Sequence, residues 1–98
     1  MKTNIQSIHF DASEQLQAFI EKKTAKLERF FDEIDTVEVT LKVVKPETAM
    51  NKQADVKVVV KNDNLFASKI CDTFEESIDQ CIDALRIQLE KYKEKWCA

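Results

Sequence analysis

Between residues 37 and 43 the chain alternates strictly. Val37, Val39, Leu41 and Val43 are apolar, and Glu38, Thr40 and Lys42 between them are polar. A period of two places the apolar set on one face of a half-buried strand. The pattern returns at Ala54, Val56, Val58 and Val60, opposed by Asp55, Lys57 and Lys61. Asn62-Asp63 then offers hairpin-turn chemistry, since both residue types tolerate positive φ, and Leu65 to Ile70 is expected to pair back as a fourth strand. The face this strand buries stays open. Thr3 to Phe10, short and rich in Ile and Phe, predicts a first strand. Lys45 to Gln53, with Pro46, Asn51 and scattered charge, reads as a mobile loop.

Two segments carry the helical period instead. Leu16, Ile20, Leu27, Phe31 and Ile34 recur at helical spacing with Phe19 and Phe30 beside them, predicting a helix that runs to Phe31 or Asp32. Asp11 and Ser13 are both competent N-caps, and Asp11 with Glu14 has the spacing of a capping box. A second helix is expected from Asp72 or Thr73. Its stripe is Phe74, Ile78, Cys81, Ile82, Leu85, Leu89, Tyr92 and Trp96.

The predicted order is β-α-β-β-β-α. Strands joined through a helix should run parallel with a right-handed crossover, and the later ones should form a meander. With one apolar face per strand and one stripe per helix, both helices must cover the same face of a four-stranded sheet. The expected class is α+β, a two-layer sandwich, with the whole of residues 1–98 as a single domain.

Composition narrows the function. A 98-residue chain buries roughly two-thirds of the surface its unfolded form exposes, enough to fold without metal or disulfide staples. No apolar run approaches the ~18 residues of a membrane-spanning helix. Met1 to Ile5 lacks the apolar core of a secretory signal, so a cytoplasmic protein is expected, with no membrane partner. Cys71, Cys81 and Cys97 are odd in number and not spaced as zinc ligands, which predicts free thiols and no metal. The total absence of glycine excludes glycine-rich phosphate loops, and with them the usual nucleotide cofactors. His9 is the only histidine and stands near a strand end, where an exposed or capping role outweighs a Cys–His pair. No catalytic residue, cofactor or small-molecule substrate is expected. The chain does not read as an enzyme.

The formal net charge of −3 argues mildly against a nucleic-acid partner. The distribution is uneven, however. Asp72 to Asp83 holds five acids and no base, whereas Ala84 to Ala98 holds four bases and two acids. On the first helix Lys22, Lys26 and Arg29 share one flank, opposite Glu14, Glu21, Glu28 and Asp32. Lys23 stands at the edge of the apolar stripe, where its stem lies over the core while its ammonium reaches out. The second helix sets Lys91 and Lys95 on one flank, and Arg86 with Lys93 on the other. Basic flanks from two helices on one sheet face can border a common surface for RNA phosphates. The helix dipole explains much of the same division, and on charge alone solvated helix faces remain the better reading.

The runs Lys26-Leu27-Glu28-Arg29-Phe30-Phe31-Asp32-Glu33-Ile34 and Lys91-Tyr92-Lys93-Glu94-Lys95 change that balance. Together with Asn4-Ile5, Ala67-Ser68, Asp72-Thr73-Phe74, Ile78-Asp79, Leu85 and Gln88-Leu89, they resemble the ribosome hibernation promoting factor family, also called ribosome-associated inhibitor A. The resemblance covers essentially the whole chain and rests on register across both helices. It implies a fold similar to a double-stranded RNA-binding domain with an extra first strand. It also implies a protein that binds the rRNA of the small ribosomal subunit near the decoding region. There it blocks messenger and transfer RNA in resting or stressed cells, and it is a monomer off the ribosome. The family's basic positions match Lys23, Lys26, Lys91, Lys93 and Lys95 here, and Lys22, Arg29 and Arg86 complete the expected RNA-binding set. Two usually basic positions are Ala84 and Ile87 in this chain, both on the Lys91–Lys95 flank. The length resembles the family's short form. A protein-interaction module of the same fold, with little RNA affinity, is the competing expectation.

Overall fold

The alternating segments pair as their pattern requires. The computed structural model describes residues 2–8, 13–30, 34–44, 51–61 and 63–97, the last three of these by backbone alone. The elements are β1 (Lys2–Ile8), α1 (Glu14–Phe30), β2 (Ile34–Val43), β3 (Lys52–Val60), β4 (Asp63–Cys71) and α2 (Phe74–Cys97). The sheet order is β1-β2-β3-β4, with β1 parallel to β2 and the other pairs antiparallel. This is the α+β architecture expected, with β1 and β4 as the edges.

One core lies between sheet and helices. Val37, Val39 and Leu41 of β2 meet Ala54, Val56, Val58 and Val60 of β3, and Leu65 and Ala67 settle which face β4 buries. Ile20 and Leu27 of α1 and Ile78, Leu85 and Leu89 of α2 close over them, essentially without solvent exposure. Truncating any of these to Ala is expected to cost about 2–5 kcal/mol, through lost transfer energy and the cavity left behind. α2 packs across β3 and β4, while α1 packs against α2 and β1. On the opposite face Asn4, Gln6, Glu38, Ser68 and two large apolar side chains, Phe66 and Ile70, are exposed.

Local chemistry marks the helix starts. The Leu16 amide donates to Ser13 Oγ at 3.1 Å and the Glu76 amide to Thr73 Oγ1 at 3.2 Å, so Ser13 and Thr73 are the caps. Each such cap contributes about 1 kcal/mol. The Asp11 capping box, His9, Phe10, Phe31 and Asp32, and the side chains of Lys95, Trp96 and Cys97, lie outside the described residues.

Four expectations need correction. Ile34 opens β2, opposite Val60, and does not close the first helix. Asp35 is an extra residue between the pairs Ile34–Val60 and Thr36–Val59, and this bulge lets both Ile34 and Val37 face the core. The loop after β2 ends earlier than expected. Lys52 and Gln53 belong to β3, and the Val44 amide donates to the Asn51 carbonyl at 2.9 Å. Asp63 pairs with Val60 as the first residue of β4 and is not a turn residue, while Lys61 lies in a turn and leaves the sheet face. The first strand starts at Lys2, one residue before the Thr3 expected.

Polar groups also reach the core. Ser77 Oγ donates to the Lys52 carbonyl at 2.6 Å, and one helical turn later Cys81 Sγ lies 3.3 Å from the Ala54 carbonyl. These contacts seat α2 on β3. Burial pushes the Cys81 thiol up from 9.0 to about 12, with the Asp55 charge adding to the effect. Cys71 and Cys81 are free and buried.

Candidate nucleic-acid interface

On α1 the buried positions Leu16, Ile20, Thr24 and Leu27 define the inward face. Lys23, Lys26 and Phe30 fall beside it, on the side turned to α2. Lys23 is half-buried, and its Nζ stands 2.9 Å from the Asp79 carboxylate of α2 and 5.4 Å from the Phe19 ring. The hydrogen bond to Asp79 holds the Lys23 ammonium above the usual lysine pKa, against a smaller opposing effect of desolvation. Farther along, Lys93 of α2 lies 4.9 Å from the centre of the Phe30 ring and donates to the Phe30 carbonyl at 3.4 Å. A cation there satisfies the carbonyl-rich end of α1. The two helices are therefore braced at two points.

Between the braces is a cleft of about 430 Å³. Lys26 and Arg29 line it from α1 and Arg86 from α2, all three exposed, with Leu27, Phe30 and Ile82 as its apolar surface. Asp79 and Asp83 complete the α2 wall. Among the described residues, the one ion pair is Lys23–Asp79, so Lys26, Arg29 and Arg86 form no ion pair with another described residue.

The eight basic residues singled out above thus separate. Lys23, Lys26, Arg29 and Arg86 meet in the cleft, and Lys93 braces its end. Lys22 is exposed on α1 but does not line the cleft. Lys91 lies on the other flank of α2, in a shallower hollow of about 230 Å³ with Asp63, Leu65, Gln88 and Tyr92. The side chain of Lys95 is outside the described residues. Of the two departures, Ala84 is packed against the core, whereas Ile87 is 51% exposed. Asp79 and Asp83 went unrecognised because early acids suit a helix dipole. Their spacing with Arg86, i, i+4 and i+7, nevertheless marks one flank. Among the described residues no group of three His, Cys, Asp or Glu side chains gathers to hold a metal.

Residues 3–96 match the family described as sigma 54 modulation protein / S30EA ribosomal protein. The chain belongs to this family. It is similar to the ribosome hibernation promoting factor of Escherichia coli (strain K12), 36% identical over 95 residues, which cover 97% of this chain and 96% of that one. Two solved structures share the fold. A ribosomal subunit interface protein from Coxiella burnetii superposes with a TM-score of 0.86 at 24% identity, covering 96% of this chain and 99% of that one. The N-terminal domain of Thermus thermophilus Protein Y gives 0.77 at 19% identity, covering 93% and 94%. The family register read across the helices is the one this match confirms. No helix among the described residues is long and apolar enough to cross a membrane.

Proposed function

We propose that the chain is a ribosome hibernation factor. It binds the rRNA of the small ribosomal subunit near the decoding region and blocks messenger and transfer RNA, silencing translation in resting or stressed cells. The reading places it in the cytoplasm, as one ribosome-binding domain, monomeric off the ribosome and without catalysis. The observation that carries it is the convergence of Lys26 and Arg29 with Arg86 at one inter-helix cleft, in a member of a ribosome-associated family. Arginine forks and a lysine point charge, set on rigid helices, suit phosphates held at fixed spacing in folded RNA. Lys22, Lys23, Lys91, Lys93 and Lys95 would extend this surface on either side.

The test is co-sedimentation with purified small subunits across a salt series, with translation measured in a purified system. Binding that neutralises phosphates weakens linearly in log affinity against log salt. Failure to bind at low salt, with the fold confirmed, removes the ribosome reading. Exposed Ile87, at 51%, supports the alternative of a protein-interaction module. A partly apolar protein interface would show a shallow salt dependence.

A further inference from the structure

A surface that only counts phosphates has no use for carboxylates, yet the cleft wall carries two. Asp79 is neutralised by Lys23 at 2.9 Å. Asp83 is exposed, lines the same cleft, and forms no ion pair among the described residues. Near the cleft's phosphate-binding cations its charge repels a polyanion, unless it meets a part of the RNA that donates hydrogen bonds. Phosphates do not; the ribose 2′-hydroxyl does with a single O–H, and base edges alone can present two donors side by side.

Size and lining agree with a base. About 430 Å³ lies in the range of small-molecule sites, the scale of a single nucleotide. Phe30, the half-buried apolar residue of the lining, offers cover for a ring face, while the exposed Lys26, Arg29 and Arg86 stand beside it for flanking phosphates. Unpaired bases in RNA are recognised in this way, covered on the face and hydrogen-bonded on the Watson–Crick edge.

We propose that the α1–α2 cleft seats one unpaired guanine nucleotide of an RNA strand, with Asp83 accepting from its Watson–Crick edge. The choice of base follows from the acceptor. A carboxylate offers two oxygens and no donor, so it matches two adjacent N–H groups. Guanine alone among the four bases supplies these, from N1 and the 2-amino group. Adenine and cytosine set a ring acceptor beside their amino group, and uracil flanks its N–H with two carbonyl oxygens. Each of those turns lone pairs toward the carboxylate. Asp83 is thus a specificity residue, while the three cations supply affinity. The proposal rests on the RNA-binding reading and names what that surface selects.

The experiment is fluorescence anisotropy with short oligouridylates carrying a single central G, inosine, A or C, alongside free GMP. The G strand should bind about tenfold tighter than the A or C strand, the scale of one bidentate contact. Inosine, which lacks the 2-amino group, should fall between. Asp83→Asn should abolish the preference while overall affinity holds or rises, since a negative charge is lost. Arg29→Ala should weaken all strands alike. Equal binding of all strands overturns the guanine seat and leaves the RNA reading standing. So does an Asp83→Asn variant that keeps the preference. Absence of binding to every strand also overturns the seat, and co-sedimentation with small subunits then decides the RNA reading separately. GMP binding as tightly as the G strand would show a free-nucleotide site and overturn the RNA source.

Discussion

The two flanks of α2 come from one continuous helix and differ in what their charges do. On the flank facing α1, Asp79 holds Lys23, Lys93 sits against Phe30, and Arg86 joins the cations of α1. On the flank facing β4, Gln88 Nε2 donates to the Phe66 carbonyl at 2.9 Å, leaving Lys91 beside Asp63 in a shallower hollow. That bond occupies a carbonyl on an edge strand, where an unpaired backbone invites another strand. Ala84 and Ile87 add no charge to this flank. A cation gains recognition value where a second helix supplies neighbours at fixed distance. An isolated surface lysine contributes only diffuse attraction.

The strongest way to break this contrast is to remove the charges of each flank separately. Replacing Lys26, Arg29 and Arg86 together with Ala should lower the salt slope of ribosome binding by about three units, one per lost phosphate contact. Lys91→Ala should lower it by at most about one, and Lys57→Ala, on the open sheet face, should leave it nearly unchanged. Folding should stay within ~0.5 kcal/mol in each single variant, because these side chains are not buried in the core. Equal losses from all three would mean diffuse attraction, and the cleft would lose its role.

Ile87→Arg sharpens the contrast from the other side. If the β4 flank also docks, placing a base there should tighten binding and raise the slope by about one unit. An unchanged slope would confine docking to the cleft flank.

Alkaline unfolding separates the helix's anchorage from its surface. The Cys81 thiol titrates at about 12 when folded and near 9.0 when unfolded, a raised acid. Its contribution is fully present below pH 9 and is lost as pH rises toward 12, because the unfolded chain then releases a proton that the folded one keeps. Stability measured over that window should fall more steeply for the native chain than for Cys81→Ala. Identical profiles would show that the thiol does not contribute.

The smallest effects concern the braces. Lys93→Ala should cost about 0.5–1 kcal/mol through the lost cation–π contact, and Gln88→Ala a similar amount through its hydrogen bond. Chemical denaturation measures both. Only Gln88→Ala should promote self-association at high concentration, because only it uncovers the edge of β4.

Much of the fold was legible because burial on one face imposes a period. Val37 to Val43 and Ala54 to Val60 face the core as their alternation requires, and the stripe from Phe74 to Tyr92 is buried throughout. Legibility failed where a local irregularity mimicked the wrong period. Ile34 stands three residues after Phe31, a helical interval, yet it pairs with Val60 in β2, and the bulge at Asp35 turns it to the core. It failed again for polar groups. Nothing local distinguishes Ser77 or Thr24, both fully buried, from the solvated side chains of an amphipathic helix.

By itself, then, the sequence determined the element order and the inward faces of β2, β3 and both helices, which follow from short-range periodicity, and the family register, which follows from resemblance residue by residue. Tertiary structure decided which charges meet. Lys23 and Asp79 are 56 positions apart and touch only because two helices cross one sheet face at contact distance. The same packing joined Arg86 to Lys26 and Arg29 and left Lys91 on the far side of α2. Charge recognition depends on distances across the fold, and periodicity along one helix carries no information about its neighbour.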